Sequence, residues 1–446
     1  MRDPARNVVL VSMDSLRADH CGFLGDDRGL TPTMDRLAST GVSFEMAVAP
    51  GPQTFSSMPA AFTGRHRKTG PLDAYPGETH WERRLAAIDD HLGRYTSLPE
   101  KLQELGYSTA GFSPNPWTST ASGFDRGFDH FADLAGEADD GWLRRLATAL
   151  PGIDESNKAV ELALDLLTGS SFFTPWESYY DQIQAVREDL SEPYFLWVFL
   201  LDTHFPFLPA RRHRQEQSFY GMVSSALRSE KTMRGRADTM SERTCESMQR
   251  SYRDTVRSAD TFLDRLRTDL ADDDPAMIAH SDHGESFGEH GNYGHHHRQL
   301  YEENVHVPFV VHDGHRQGVI SDPTSLATIP DIVTSIARTG SFEPAAVTDA
   351  TAVATSEGGT NRAIRGRQFK YIEHGEERAL FELPLDAAET RDLSREYPER
   401  CAESRARLDR FEHHREELAA VSRAAGVLAS MEKVMHNNAT ERVTDS

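Results

Sequence analysis

The chain has 446 residues, with 48 Lys+Arg against 70 Asp+Glu, a formal net charge of −22 and three cysteines. That length suits one large domain with a smaller one appended, and the acid excess argues against nucleic acid or an anionic membrane as partner, because a surface that follows phosphates needs basic residues. Cys21, Cys245 and Cys401 are too few and too scattered for a disulfide framework or a thiolate zinc site and read as small, partly buried side chains.

In chain order, the polar residues 1–6 lead directly into the mostly apolar run Asn7–Met13, a short strand after which Asp14 is the first charge. Thr31 before Pro32 starts a helix that Gly41 stops, and a strand follows over Val42–Val48. Residues 49–67 (APGPQTFSSMPAAFTGRHR) place Thr54 at or just before the amino terminus of a small-residue helix closed by Gly64. Ser97 caps Leu98–Leu105, Gly106 ends that helix, and Tyr107–Phe112 is the next strand. Amphipathic helix signals over 135–192, broken at Pro151-Gly152 and Pro175, read as an insertion, either a lid over the active site or a surface helical hairpin. A strand over Tyr194–Leu201 and the apolar run Ala276–Ala279 come next. After about Ala345 the pattern becomes short strands, Phe369–Ile372 and Ala379–Leu383, then a charged helix from Pro398 to about Ala425, with Gly426 as a stop. The expected fold class is α/β, a mixed, mostly parallel sheet sandwiched between helices, with a small C-terminal α+β subdomain. The expected division is 1–345, 346–430 and a flexible tail over 431–446. No apolar run reaches the ~18 residues of a membrane span, so neither span nor signal peptide is expected, and a cytoplasmic location is. Six Lys against 42 Arg resembles salt-loving microbes' proteins, although a GC-rich genome gives the same bias.

The stretch HSDHGESFGEHGNYGHHH, 280–297, carries the chemistry. A buried strand ending in Asp282-His283 holds a carboxylate and an imidazole stiffly at its carboxyl end, and Gly284 lets the backbone turn away. If the first strand belongs to the same parallel sheet, Asp14 emerges at the same edge, the crevice where open α/β sheets bind ligands. The alternative is that Asp14 only caps the turn around Ser15 and Arg17. Thr54 at a helix amino terminus would share its site with an anion such as phosphate or sulfate; the alternative is plain capping by Thr54, Ser56 or Ser57.

Asp14 after the first strand, the TxxxxPAxxTGR block from Thr54, the GYSTAGF strand, GFDRGFDHF, DTHFPF, SDHGE and the late RGRQFKYI strand follow one another as in the alkaline-phosphatase superfamily. From about Asn7 to about Leu393 the chain resembles its sulfatase-like branch, and the 280–297 stretch is also similar to phosphoethanolamine transferases. The resemblance implies a divalent ion on Asp14, Asp282, His283 and Thr54, with Thr54 as nucleophile and His204 and His295 as substrate-binding histidines. It departs from sulfatases in ways that matter. Thr54 cannot become the formylglycine that Cys or Ser yields, the family's Arg four residues later is Met58, its second amino-terminal Asp is Ser15, and the Lys and His of its GKWH-like segment are missing from Ser113 to Trp117. A Thr alcohol needs a metal to lower its pKa, and three oxygens with one nitrogen suit zinc or manganese, with calcium or magnesium as alternatives. The expected function is a metal-dependent hydrolase of small-molecule phosphate-type esters (phosphodiester or phosphonate), acting through a covalent Thr54 intermediate. The alternatives are a sulfatase without formylglycine, a phosphoryl transferase, and a non-catalytic metal-binding interaction protein.

Overall fold

The computed structural model describes residues 6–68, 70–135, 174–235, 239–296, 299–418 and 420. In chain order its strands are β1 (Val8–Met13), β2 (Val42–Phe44), β3 (Ala47–Val48), β4 (Ser108–Ser113), β5 (His130–Asp133), β6 (Tyr194–Leu200), β7 (Ala276–Ser281), β8 (Ser286–Phe287), β9 (Tyr293–Gly294), β10 (Phe309–His312), β11 (Gly318–Ile320), β12 (Thr324–Ser325), β13 (Thr351–Thr355), β14 (Asn361–Gly366), β15 (Phe369–His374) and β16 (Glu377–Glu382). The main sheet runs β11-β2-β10-β7-β1-β6-β4-β5. Neighbours are parallel except for β10, which is antiparallel to both β7 and β2.

β7, β1 and β6, buried along their whole length, lie side by side in the sheet and have no face to leave in water. β1 alternates in the two-residue period of a strand: Val8 and Leu10 join Phe195, Trp197 and Phe199 on one face, and Val9, Val11 and Met13 join Leu196, Val198 and Leu200 on the other. The first face is covered by helices Thr54–Thr63, His80–Arg94, Leu98–Glu104 and Ile329–Thr339, the second by Pro32–Thr40, Tyr180–Asp189 and the long Glu242–Asp269. Each such Val or Leu, wholly buried, contributes roughly 1.5–3 kcal/mol. Register aligns the strand ends that matter: Met13 pairs with Leu200 on one side and with Ser281 on the other, so Asp14, Leu201 and Asp282 leave the sheet at one level.

The α/β architecture and the mixed, mostly parallel sheet agree with the sequence reading. The strand expected over Val42–Val48 is instead two, β2 in the main sheet and β3 paired with β12, because a turn at Glu45 and Met46 brings the exposed Glu45 out of the core. Thr31 and Ser97 precede their helices as expected; Ser97 closes a reciprocal capping box with Glu100. β13 to β16 form a separate antiparallel sheet in sequence order. A helix over 398–418 covers one of its faces through Cys401 and Leu408, and Val48, Leu300 and Val305 cover the other. Most of the 135–192 insertion, the helix end near Gly426 and the tail lie outside the described residues. Among the described residues no helix is long and apolar enough to cross a membrane.

Candidate active site

Three segments deliver side chains to the crevice above β1 and β7. Asp14 follows β1 directly, and the next residue, Ser15, sits in the left-handed region at φ 62°. Strain of this kind persists only where surroundings over-determine it, and here they do. Tyr252 donates its hydroxyl to Ser15 O at 2.8 Å and accepts from Arg17 N at 2.9 Å, while Leu16 N donates to Ser281 Oγ at 2.8 Å. Ser15 Oγ donates to Asp14 Oδ1 at 2.9 Å, so the carboxylate does not cap the turn; it receives from it.

Asp282 and His283 follow β7 and are fully buried. Gly284 is required by close approach and not for turning: a Cβ there would lie 2.0 Å from Glu303 O. His283 Nδ1 faces Gly284 O at 2.9 Å, which places its proton on Nδ1 and leaves the Nε2 lone pair pointing inward. That lone pair meets Asp14 Oδ1 at 3.5 Å, Asp282 Oδ2 at 3.5 Å and Thr54 Oγ1 at 3.3 Å.

Thr54 is the first residue of a ten-residue helix that is buried along its whole length. Its cap residue is Gln53, and neither Thr54, Ser56 nor Ser57 makes a capping bond; Ser56 Oγ donates to Gln53 O at 3.0 Å. The hydroxyl at 54 is thus left facing the acidic group. Gly64, at φ 75°, ends the helix, as the sequence predicts.

Electrostatically the cluster lacks a positive charge. Burial, and after it the neighbouring Asp14 carboxylate, push Asp282 well above the usual carboxylate range. Burial opposes ionisation of Asp14 too, but the neighbouring histidines, His204 foremost, hold it below its usual value. His283 is driven down to about 3 by burial and then by His295, so it stays neutral. Asp282 Oδ2 is buried and has no hydrogen-bond partner. Two carboxylates, a neutral imidazole lone pair and an orphaned oxygen, their ligating atoms within 4.8 Å of one another, fit one divalent ion with nitrogen and oxygen donors.

His204 and His295 stand beside this group. Their ring centroids are 5.0 Å apart, and those of His283 and His295 are 4.6 Å apart. His204 Nδ1 faces Phe205 O at 2.6 Å, leaving Nε2 free. Burial would lower His295, but Glu285, 3.1 Å from its Nδ1, outweighs this and raises it to about 9. A cavity of about 350 Å³ opens from Thr54, Asn115, His204, Glu285 and His295, walled by Phe55, Trp81, Trp117 and Phe205.

Six residues singled out from sequence, Asp14, Thr54, His204, Asp282, His283 and His295, are therefore brought together. Two others were not foreseen. Asn115, just past β4, donates Nδ2 to Asp14 Oδ2 at 2.7 Å and stands 3.4 Å from Thr54 Oγ1. Glu285, inside the SDHGE motif, is the carboxylate behind His295.

The Sulfatase family model matches residues 6–338. The chain belongs to the sulfatase family. Among curated relatives this sulfatase-family hydrolase is similar to an arylsulfatase of Clostridium perfringens, 23% identical over 338 residues that make up 69% of this chain and 68% of the relative. Among solved structures it is similar to the phosphonate monoester hydrolase of Agrobacterium radiobacter, with TM-score 0.63, 17% identity and coverage of 92% of this chain and 96% of the other. A 2-O GAG sulfatase matches with TM-score 0.62, 16% identity and coverage of 92% and 93%. At these identities the structural likeness speaks to the sulfatase fold, and the site residues above are this chain's own.

Proposed function

We propose that the protein is a metal-dependent hydrolase of phosphate-type esters, phosphodiesters or phosphonates, with Thr54 as nucleophile and a covalent phosphothreonine intermediate. The observation that carries this reading is the position of Thr54 Oγ1, 3.3 Å from the inward lone pair of His283 and bordering the cavity. A threonine cannot be oxidised to the aldehyde hydrate of formylglycine enzymes, so its own alcohol must do the chemistry.

An ion held by Asp14, Asp282 and His283 would lower the pKa of the Thr54 hydroxyl and offset the negative charge of the ester. Once that proton is lost to solvent, Thr54 Oγ1 bonds to phosphorus as the P–O bond to the leaving alcohol breaks. His295, kept protonated at neutral pH by Glu285, gives its proton to the departing oxygen. Water then adds to phosphorus, returns a proton to His295, and expels Thr54 Oγ1. His204 and the Asn115 amide border the same space and would bind the non-bridging oxygens.

A second reading, hydrolysis of sulfate esters by unmodified Thr54, is kept because the relatives include proteins named as sulfatases as well as a phosphonate monoester hydrolase. One panel separates the two: aryl phosphodiesters, phosphonate monoesters, phosphomonoesters and aryl sulfates, each with and without chelator, on the wild type and Thr54→Ala. Chelator-sensitive turnover of phosphodiesters or phosphonates, abolished by Thr54→Ala, is expected. Turnover confined to sulfates would replace the first reading with the second, and a Thr54→Ala rate near wild type would remove Thr54 from the chemistry.

A further inference from the structure

Where the β13–β16 sheet meets the main body, a second set of ligating side chains converges. A ring nitrogen of His290 and a carboxylate oxygen from each of Glu303 and Glu389 lie within 4.8 Å of one another. The surrounding charges do not balance. Lys370, fully buried, sits 3.0 Å from Glu302 Oε1 and 3.0 Å from Glu389 Oε1, and Arg365 is 3.1 Å from Glu302 Oε2. Both cations pair directly with Glu302 and Glu389, and Glu303 feels Lys370 and Arg17 only at a distance.

The second observation concerns Glu303 alone. Its side chain is 7% exposed, its Oε1 is buried without any hydrogen-bond partner, and His290 Nε2 lies 4.0 Å from its Oε2, beyond hydrogen-bond reach. Kept ionised, a carboxylate this dry and this poor in donors costs several kcal/mol, and burial accordingly pushes Glu303 up to about 7; a bound cation would hold it ionised. His290 and Glu389 also both sit at positive φ, 53° and 52°.

We infer that His290, Glu303 and Glu389 form a second binding site, distinct from the Asp14–Asp282–His283 group, for a divalent transition ion of the zinc or manganese type. One imidazole and two carboxylates, with water completing the shell, match the donor preference of those ions. The placement gives the site a purpose. His290 is at the exposed tip of the β8–β9 hairpin, which is closed by the pairs Ser286–Gly294 and Phe287–Tyr293 and flanked directly by Glu285 and His295. An ion shared with Glu389 pins that hairpin to the C-terminal sheet and so fixes the Glu285–His295 pair at the mouth of the cavity. This inference stands whether or not Thr54 is the nucleophile.

The test is bound zinc per full-length chain, measured by elemental analysis after chelation and reloading, with thermal unfolding as the second readout. Two equivalents are expected for wild type, one each for His290→Ala, Glu303→Gln and Asp282→Asn, and none for Asp282→Asn/His290→Ala. Zinc should raise the unfolding temperature of Asp282→Asn and leave that of the double variant unmoved. His290→Ala, which removes a ring stacked on Tyr301 at the hairpin tip, is the second variant should Glu303→Gln fail to fold. Saturation of wild type at one equivalent, an unchanged count in His290→Ala, or no zinc-induced shift in Asp282→Asn overturns the proposal and leaves His290 and Glu303 as an ordinary ion pair.

Discussion

Asn115 Nδ2 donates to Asp14 Oδ2 across 2.7 Å, tying the loop after β4 to the carboxylate that follows β1. The same amide is 3.4 Å from Thr54 Oγ1, so one side chain braces both a proposed metal ligand and the proposed nucleophile. Asn115→Ala should lower kcat about 10²-fold, the scale of losing one preorganised donor, with metal content retained. Steady-state kinetics with elemental analysis checks this; a kcat within twofold of wild type would reduce Asn115 to a packing residue.

In the proposed mechanism Glu285 acts through His295, whose Nδ1 it faces at 3.1 Å. Glu285→Gln should cost about tenfold to a hundredfold in kcat for esters of poor leaving groups and much less for nitrophenyl esters, whose departing oxygen needs no proton. Equal losses across a leaving-group series would contradict the proton-donor role of His295.

Asp282→Asn and His283→Ala should each lose metal and turnover together. Asp282→Asn should also raise the unfolding temperature of the chelated protein at neutral pH, since buried Asp282 must take up a proton on folding and an amide need not. Metal content unchanged in both variants would remove these residues from the ligand set.

His91 gives the fold an acid limit. It is buried against Thr63, with Nε2 2.9 Å from Thr63 Oγ1, and burial, reinforced by Arg67, pushes it down to about 3. The unfolded chain takes up a proton at His91 below about pH 6.5, whereas the folded chain does not until about pH 3. Stability from this group is therefore complete above pH 6.5 and lost as pH falls toward 3, by ~2 kcal/mol at pH 5. Urea midpoints between pH 7 and pH 5 should drop more steeply for wild type than for His91→Asn, and parallel slopes would show a solvated imidazole.

How far the sequence could be read depended on how local each signal was. Asp14 and Asp282-His283 were legible because each begins with the first acidic residue after a mostly apolar strand, and a parallel sheet brings such positions to one edge. Thr54 was legible from the small-residue helix ending at Gly64. Asn115 was not, because a polar residue just past a strand has no mark of its own; its importance depends on β4 lying beside β6, and β6 beside β1. Glu285 needed the β8–β9 hairpin to fold it back on His295, across ten positions of sequence. The break between β2 and β3 was hidden because Glu45 stands between the apolar Phe44 and Met46. His290, Glu303 and Glu389 are too far apart in sequence to suggest one another.

The side chain at 54 also decides what the cell must provide. Cysteine or serine there would make each new polypeptide wait for an oxidising maturation enzyme, and yield in a foreign host would track the supply of that helper. Threonine offers such an enzyme no substrate. With Thr54 as the proposed nucleophile, competence would follow from folding and ion uptake alone, and protein made in any host should reach the same specific activity once the ion is supplied.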